Sequence, residues 1–307
     1  MNSILIDAAI DDDRRRELLF QGQLLVYAPT PSSLALVKFA REMAEEALRP
    51  FEPETAQYHL PVERYAAILA EMKPKFIHHP RSKECLQGIF RELGCDMNKT
   101  YFDVPRMRTS TSDDYLKTGI AYAFHPHRDT WYSAPMCQIN WWMPIYPIVS
   151  ENAMAFHLRY WSRGLRNGSA GYNYAEWNRT SRQNAAQFLK EDTRKQPRPE
   201  EPVELDPQIR VIAPPGGILL FSAAHLHSSV PNNSGRTRFS IDFRTVNIDD
   251  VAAQRGAPNV DSESTGTCMH DYLRGTDLAH VPEELYPLYE HQPTMVQAPE
   301  LQTASSD

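Results

Sequence analysis

Residues 124–131 read FHPHRDTW and hold a His-x-Asp pair, His127 and Asp129. In an extended chain residues two apart project to the same side, so an imidazole and a carboxylate can grip one ion. Of the 11 histidines, only His127 is followed two residues later by Asp or Glu. A second segment, residues 216–232 (GGILLFSAAHLHSSVPN), is an apolar strand followed by a break and His227. Two histidines and one carboxylate on neighbouring strands make the donor set that holds Fe(II) and leaves three positions open. Two of these suit a chelating 2-oxo acid and the third suits O2. The far carboxylate of such a co-substrate then needs an anchor. Arg238 opens the next strand and offers a planar two-donor fork, and Ser240, on the same face, adds a hydroxyl. His125 and His225 each stand two residues before a proposed ligand and remain alternatives to it.

These groups need a scaffold. At 307 residues and 41% hydrophobic, the chain can bury a full core. Helical spacing marks residues 32–48, with shorter helices expected over 62–72 and 82–93. From about residue 98, short β-branched and aromatic runs alternate with Pro, Gly, Asn and Ser; 136–143, 209–213, 218–221 and 238–246 read as strands. The pattern predicts an α+β fold: a helical segment over 1–97 packed on an antiparallel β core over 98–250, then an extension over 251–307. Residues 161–206 are polar and strand-poor and read as a lid-like insertion; the end of the chain reads as flexible. A net charge of −7 argues against nucleic acid as a partner. No apolar run reaches the roughly 20 residues a membrane helix needs. The four cysteines are too scattered for a cysteine zinc site and suit reduced thiols in the cytoplasm. The expected partner is a small molecule; the oligomeric state is left open.

Residues 216–232, followed by RTRFS over 236–240, resemble the distal half of the phytanoyl-CoA dioxygenase-like branch of the Fe(II)/2-oxoglutarate oxygenases. In that branch an apolar strand leads into His-Gly-Ser-x-Pro-Asn, and an Arg about eleven residues after the His binds 2-oxoglutarate. Here the interval from His227 to Arg238 is 238 − 227 = 11. The resemblance covers roughly residues 98–246. It implies a double-stranded β-helix (jelly-roll, cupin-like) core, Fe(II), 2-oxoglutarate and O2 as cofactor and co-substrates, and release of succinate and CO2. It places His127, Asp129 and His227 on the metal and Arg238 on 2-oxoglutarate, and Ser240 and Gln138 are the further residues expected to contact 2-oxoglutarate. Halogenases of this kind carry Gly or Ala at the second ligand position; Asp129 fills it, which argues against halide chemistry. The stretch 125–147 further resembles oxygenases of antibiotic and other specialised-metabolite pathways. One departure stands out: the Pro-Gly-Ser-His stretch common after the middle strands is replaced by AFHLRYW over 155–161, so the substrate-facing loop is expected to be specialised.

For the substrate pocket, alternation along 136–143 puts Gln138, Asn140 and Trp142 on one face and Cys137, Ile139 and Trp141 on the other. Trp131, Asn140, Trp142, Arg108 and Arg159 are candidate pocket residues, with core packing the competing role for each tryptophan and surface charge for each arginine. Arg244 shares the face of Arg238 but lies about 20 Å along the strand, which argues against it as the 2-oxoglutarate anchor. The run Asp11-Asp12-Asp13 before Arg14-Arg15-Arg16 reads as a solvated helix start. The expected reaction is hydroxylation of a C–H bond in a small polar metabolite, with desaturation, cyclisation or epimerisation as alternatives. A non-catalytic cupin-like binding protein is the alternative of another class.

Overall fold

A computed structural model of the chain describes residues 3–117, 119–121, 124–180, 188, 194 and 196–296. The first part carries β1 (Ile4–Ile6), α1 (Asp12–Phe20), β2 (Leu24–Tyr27), α2 (Pro31–Leu48), α3 (Val62–His78) and α4 (Pro80–Glu92). Then follow β3 (Thr100–Phe102), β4 (Arg106–Ser110), β5 (Ile139–Pro144), β6 (Met154–Phe156) and α5 (Tyr174–Thr180). The last part holds β7 (Ile209–Val211), β8 (Ile218–Ser222), β9 (His227–Ser229), β10 (Arg238–Asn247), α6 (Ile248–Ala252) and β11 (Leu273–Arg274).

Local chemistry accounts for the helices. Thr30 caps α2 through a reciprocal bond with Ser33, with Pro31 opening the first turn. Its buried Leu36, Val37, Ala40, Ala44 and Leu48 follow helical spacing. α3 and α4 are separated at His79, the residue before Pro80, where helical backbone is disfavoured. The three helices cover one face of an eight-stranded sheet ordered β1-β2-β8-β5-β10-β3-β11, with β4 paired to the first half of β10. Phe90 of α4 packs on Phe102, Trp141 and Phe243 with ring centroids 5.3–5.8 Å apart. A smaller antiparallel sheet, β7-β6-β9, lies beyond the other face. Trp142, Met154, Phe156, Leu219 and Phe221 fill part of the space between the sheets.

Two features depart from the sequence expectations. The N-terminal segment is not purely helical, because β1 and β2 extend the large sheet through β8; runs of three and four residues are too short to show a period. The charged start of α1 is solvated only in part: Asp11, Asp13 and Arg14 are exposed, but the next two residues are not. Arg15 and Arg16 are 2% and 7% exposed, and Arg16 Nε donates to Asp250 of α6 at 2.6 Å while its other nitrogens reach Asp12 and Asp13. Parts of the expected insertion (181–187, 189–193 and 195) and of the expected flexible end (297–307) lie outside the described residues. No helix among the described residues is long and apolar enough to cross a membrane.

Candidate metal centre

The pleat of two central strands sets the chemistry. On β10, Phe239, Ile241 and Phe243 join the core under the helices. Arg238, Ser240, Asp242 and Arg244 alternate with them and line a cavity of about 350 Å³ between the sheets. On neighbouring β5, Ile139, Trp141 and Met143 belong to the core, and Asn140 and Trp142 face the cavity beside Gln138. β9 and the segment before β5 close the opposite side. His127 and His227 form an antiparallel bridge, each backbone N–H donating to the other's carbonyl at 3.0 Å. Asp129 opens a 3-10 turn, Asp129–Tyr132, that ends on Ser133 in the left-handed region at φ 62°.

The structure brings His127, Asp129 and His227 together, with one ligand atom from each lying within 4.8 Å of the others. Nδ1 of His127 meets the carbonyl of His125 at 2.8 Å, and Nδ1 of His227 meets that of His225 at 2.9 Å. A carbonyl only accepts, so both Nδ1 atoms carry the proton and both Nε2 lone pairs are free for an ion. Burial, then the neighbouring His127, pushes the His227 imidazole down to about 3, which keeps it neutral. Burial alone would raise the Asp129 carboxyl. The Arg244 guanidinium, followed by His127 and His227, outweighs it and holds the group well below the usual carboxylate range. Two imidazoles with Nε2 turned inward beside an ionised carboxylate are a ready cation site.

Neither alternative histidine joins this group. His125 Nε2 lies 3.1 Å from the Pro197 carbonyl and 3.4 Å from the Tyr132 hydroxyl. The His225 ring meets Trp161 in a T-shaped contact at 4.5 Å between centroids, and neither of its nitrogens has a hydrogen-bond partner among the described residues.

Arg238 is 6% exposed. Nη1 donates to the carbonyls of Asn152 and Ala153 at 3.0 and 3.3 Å, and Nη2 to Ser229 Oγ at 3.0 Å. Its Nε and the Ser240 hydroxyl are buried without any hydrogen-bond partner among the described residues. No carboxylate among the described residues comes within ion-pair distance of Arg238. The other β-strand arginines on the cavity are all paired: Arg106 with Asp103, Arg108 with Asp242, and Arg244 with Asp103, Asp129 and Asp242. Burial pushes Arg238 down to about 10, opposed by Asp242. A buried, unmatched guanidinium is costly unless an anion joins it.

The remaining candidates divide. Trp142, Asn140 and Arg108 line the cavity. Gln138 lines it too, but its amide is occupied: Oε1 accepts from Tyr272 at 2.7 Å, and Nε2 donates to Asn140 Oδ1 at 2.8 Å and Asp129 Oδ2 at 3.4 Å. Trp131 is not a pocket wall. It is fully buried with Tyr160, Leu165 and Leu226, and its indole N–H donates to Asp261 at 2.8 Å, so core packing claims it. Arg159 is also outside the cavity lining and pairs with Glu204. Sequence reasoning missed the contact between Arg244 and Asp129, although the alternation of β10 already put Arg244 on the right face. It also missed Tyr132, Tyr172 and Trp177, which line the cavity as an aromatic wall, Tyr132 and Tyr172 having centroids 5.3 Å apart. Arg128, between two ligands, is 1% exposed and donates to Asp261 at 3.0 Å and to the carbonyls of Tyr160 and Arg163.

No family model and no curated protein matches the sequence. Among solved structures, the chain is similar to apo ThoJ, a non-heme monooxygenase, at 14% identity and TM-score 0.38, over 72% of each chain. It is similar to SnoN, described as a non-heme alpha ketoglutarate dependent epimerase from nogalamycin biosynthesis, at 12% identity and TM-score 0.35, over 77% of this chain and 84% of that one. It is also similar to EvdO2 from Micromonospora carbonacea var. aurantiaca complexed with 2-oxoglutarate, at 12% identity and TM-score 0.44, over 78% of this chain and 92% of that one. Likenesses this distant assign no chemistry; the side chains at the site must carry it.

Proposed function

We propose that the chain is an Fe(II)- and 2-oxoglutarate-dependent oxygenase that hydroxylates a C–H bond of a small polar metabolite, built on a double-stranded β-helix core. The observation that carries this reading is the pairing of two incomplete sites in one cavity: a His-Asp-His donor set and a buried guanidinium with no counter-ion among the described residues. His127, Asp129 and His227 would hold the iron, and Arg238 with Ser240 would take the distal carboxylate of 2-oxoglutarate. When bound, iron and 2-oxoglutarate supply the oxidising power for O2 chemistry.

The protein's own contribution is placement. The backbone carbonyls of His125 and His225 hold the imidazoles, and the Trp142 ring flanks the Arg238 guanidinium at 5.8 Å. Tyr132, Tyr172 and Trp177 offer flat apolar surface to a substrate, while Asn140 and the Arg108–Asp242 pair offer hydrogen bonds that orient it. Tyr172, Tyr174 and Trp177, all within the insertion, supply part of this wall, in keeping with a role as a lid. Desaturation, cyclisation or epimerisation would use the same groups with the substrate seated differently, and a place in specialised metabolism fits the small aromatic-walled pocket.

Anaerobic addition of Fe(II) and 2-oxoglutarate should give the weak visible charge-transfer band of the chelate. A wild type without the band refutes the proposal. Asp129→Ala and His227→Ala should lose it. Arg238→Met should keep iron and lose charge-assisted bonds of about 1.5–3 kcal/mol, raising the 2-oxoglutarate needed for half-saturation roughly 10- to 150-fold.

A further inference from the structure

The two oxygens of Asp129 sit in different surroundings. Oδ1 lies 3.4 Å from His127 Nε2, on the side where the ligand atoms converge. Oδ2 lies 3.4 Å from two donors, Gln138 Nε2 and Arg244 Nε. Both donors are themselves locked. The Tyr272 hydroxyl donates to Gln138 Oε1 at 2.7 Å, which forces the amide nitrogen toward Asp129 and Asn140. Asp103 takes the Arg244 backbone N–H at 2.7 Å and its Nη1 at 3.4 Å, and Asp242 lies 3.5 Å from Nη2.

We propose that Arg244 and Gln138 are positioning residues that occupy Asp129 Oδ2 and so restrict this carboxylate to one-oxygen ligation through Oδ1. This rests on the metal reading above. The physical argument concerns vacancies. A carboxylate free to turn can offer both oxygens to one ion, and a facial triad that did so would present two open positions in place of three. A 2-oxo acid and O2 together need three. Arg244 is suited to the task because its planar fork reaches three carboxylates at once and cannot lose its proton at working pH. Gln138 adds a neutral donor to the same oxygen from the neighbouring strand.

The test uses Co(II) as the metal probe, with its visible ligand-field bands and their response to 2-oxoglutarate as readouts. Gln138→Met and Arg244→Gln should each bind Co(II) with shifted bands before any 2-oxoglutarate is added. The concentration of 2-oxoglutarate giving half of the further change should rise at least fivefold. Arg238→Met should raise that concentration while leaving the bands before addition as in wild type, which separates an anchor from a positioning residue. If Arg244→Gln fails to fold, because Asp103, Asp129 and Asp242 lose the cation they share, Gln138→Met decides the matter alone. Wild-type bands and wild-type 2-oxoglutarate response in the folded variants overturn the inference by itself. A wild type that takes up no Co(II) overturns the metal reading and this inference with it.

Discussion

Asp261 belongs to the C-terminal extension, yet its carboxylate is the hub beneath the loop that carries His127 and Asp129. It accepts from Arg128 Nε at 3.0 Å, from Trp131 Nε1 at 2.8 Å and from the Leu165 backbone N–H at 3.0 Å, and it is 6% exposed. Asp261→Ala leaves all three donors without their acceptor and the Arg128 guanidinium buried without a counter-charge. Breaking a buried pair from one side costs about 3–5 kcal/mol. Unfolding entropy near 2.1 cal/mol/K per residue gives about 0.64 kcal/mol/K for 307 residues, so the expected fall in Tm is roughly 5–8 °C. Asp261→Asn keeps an acceptor of the same shape and should fall less. Thermal unfolding followed by circular dichroism reads both. Because Arg128 stands between His127 and Asp129, metal affinity should weaken in parallel with Tm. An Asp261→Ala protein melting within 1 °C of wild type would refute the claim that this pair holds the loop.

Two further outcomes follow from packing and charge. Lys73 of α3 is buried, with Nζ donating to Thr109 Oγ1 at 2.9 Å; burial, then Arg108, pushes it down to about 7 from its ordinary 10.5. Between pH 7 and 10.5 the unfolded chain binds a proton that the folded chain does not, so stability rises with pH there, by at most about 1.4 kcal/mol per unit. Lys73→Met should therefore be more stable than wild type at pH 7, by a margin that narrows toward pH 9 in urea titrations; a constant margin counts against it. At Gly256, an added Cβ would stand 2.4 Å from the Met136 carbonyl carbon, backbone against backbone. Gly256→Ala should cost about 1–3 kcal/mol, seen as a lower urea midpoint, and a neutral result would mean the loop moves freely.

How much of this was legible depended on the range over which each signal acts. Helices α2 to α4 announce themselves through caps, prolines and apolar spacing, all local. The alternation of β5 and β10 likewise separates Trp141 and Phe243 from Asn140 and Arg244 within a few residues. The placement of Trp131 was not readable, because its partner Asp261 lies 130 residues away. Asp103 and Tyr272 are equally remote from Arg244 and Gln138, and no periodicity links them. The burial of Arg16 depends on Asp250, 234 residues on, so a charged helix start passed for a solvated one.

The bonds that fix the two imidazoles come from main-chain carbonyls, and this separates the metal site's geometry from the identity of the residues that precede each ligand. Any side chain at 125 or 225 that preserves the backbone path still supplies the same oxygen. The ring tautomers are thus written into the chain's trajectory, and the bridge between His127 and His227 ties both trajectories together. The side chains at 125 and 225, neither of which lines the cavity, can therefore be exchanged while the same two nitrogens stay turned toward Asp129.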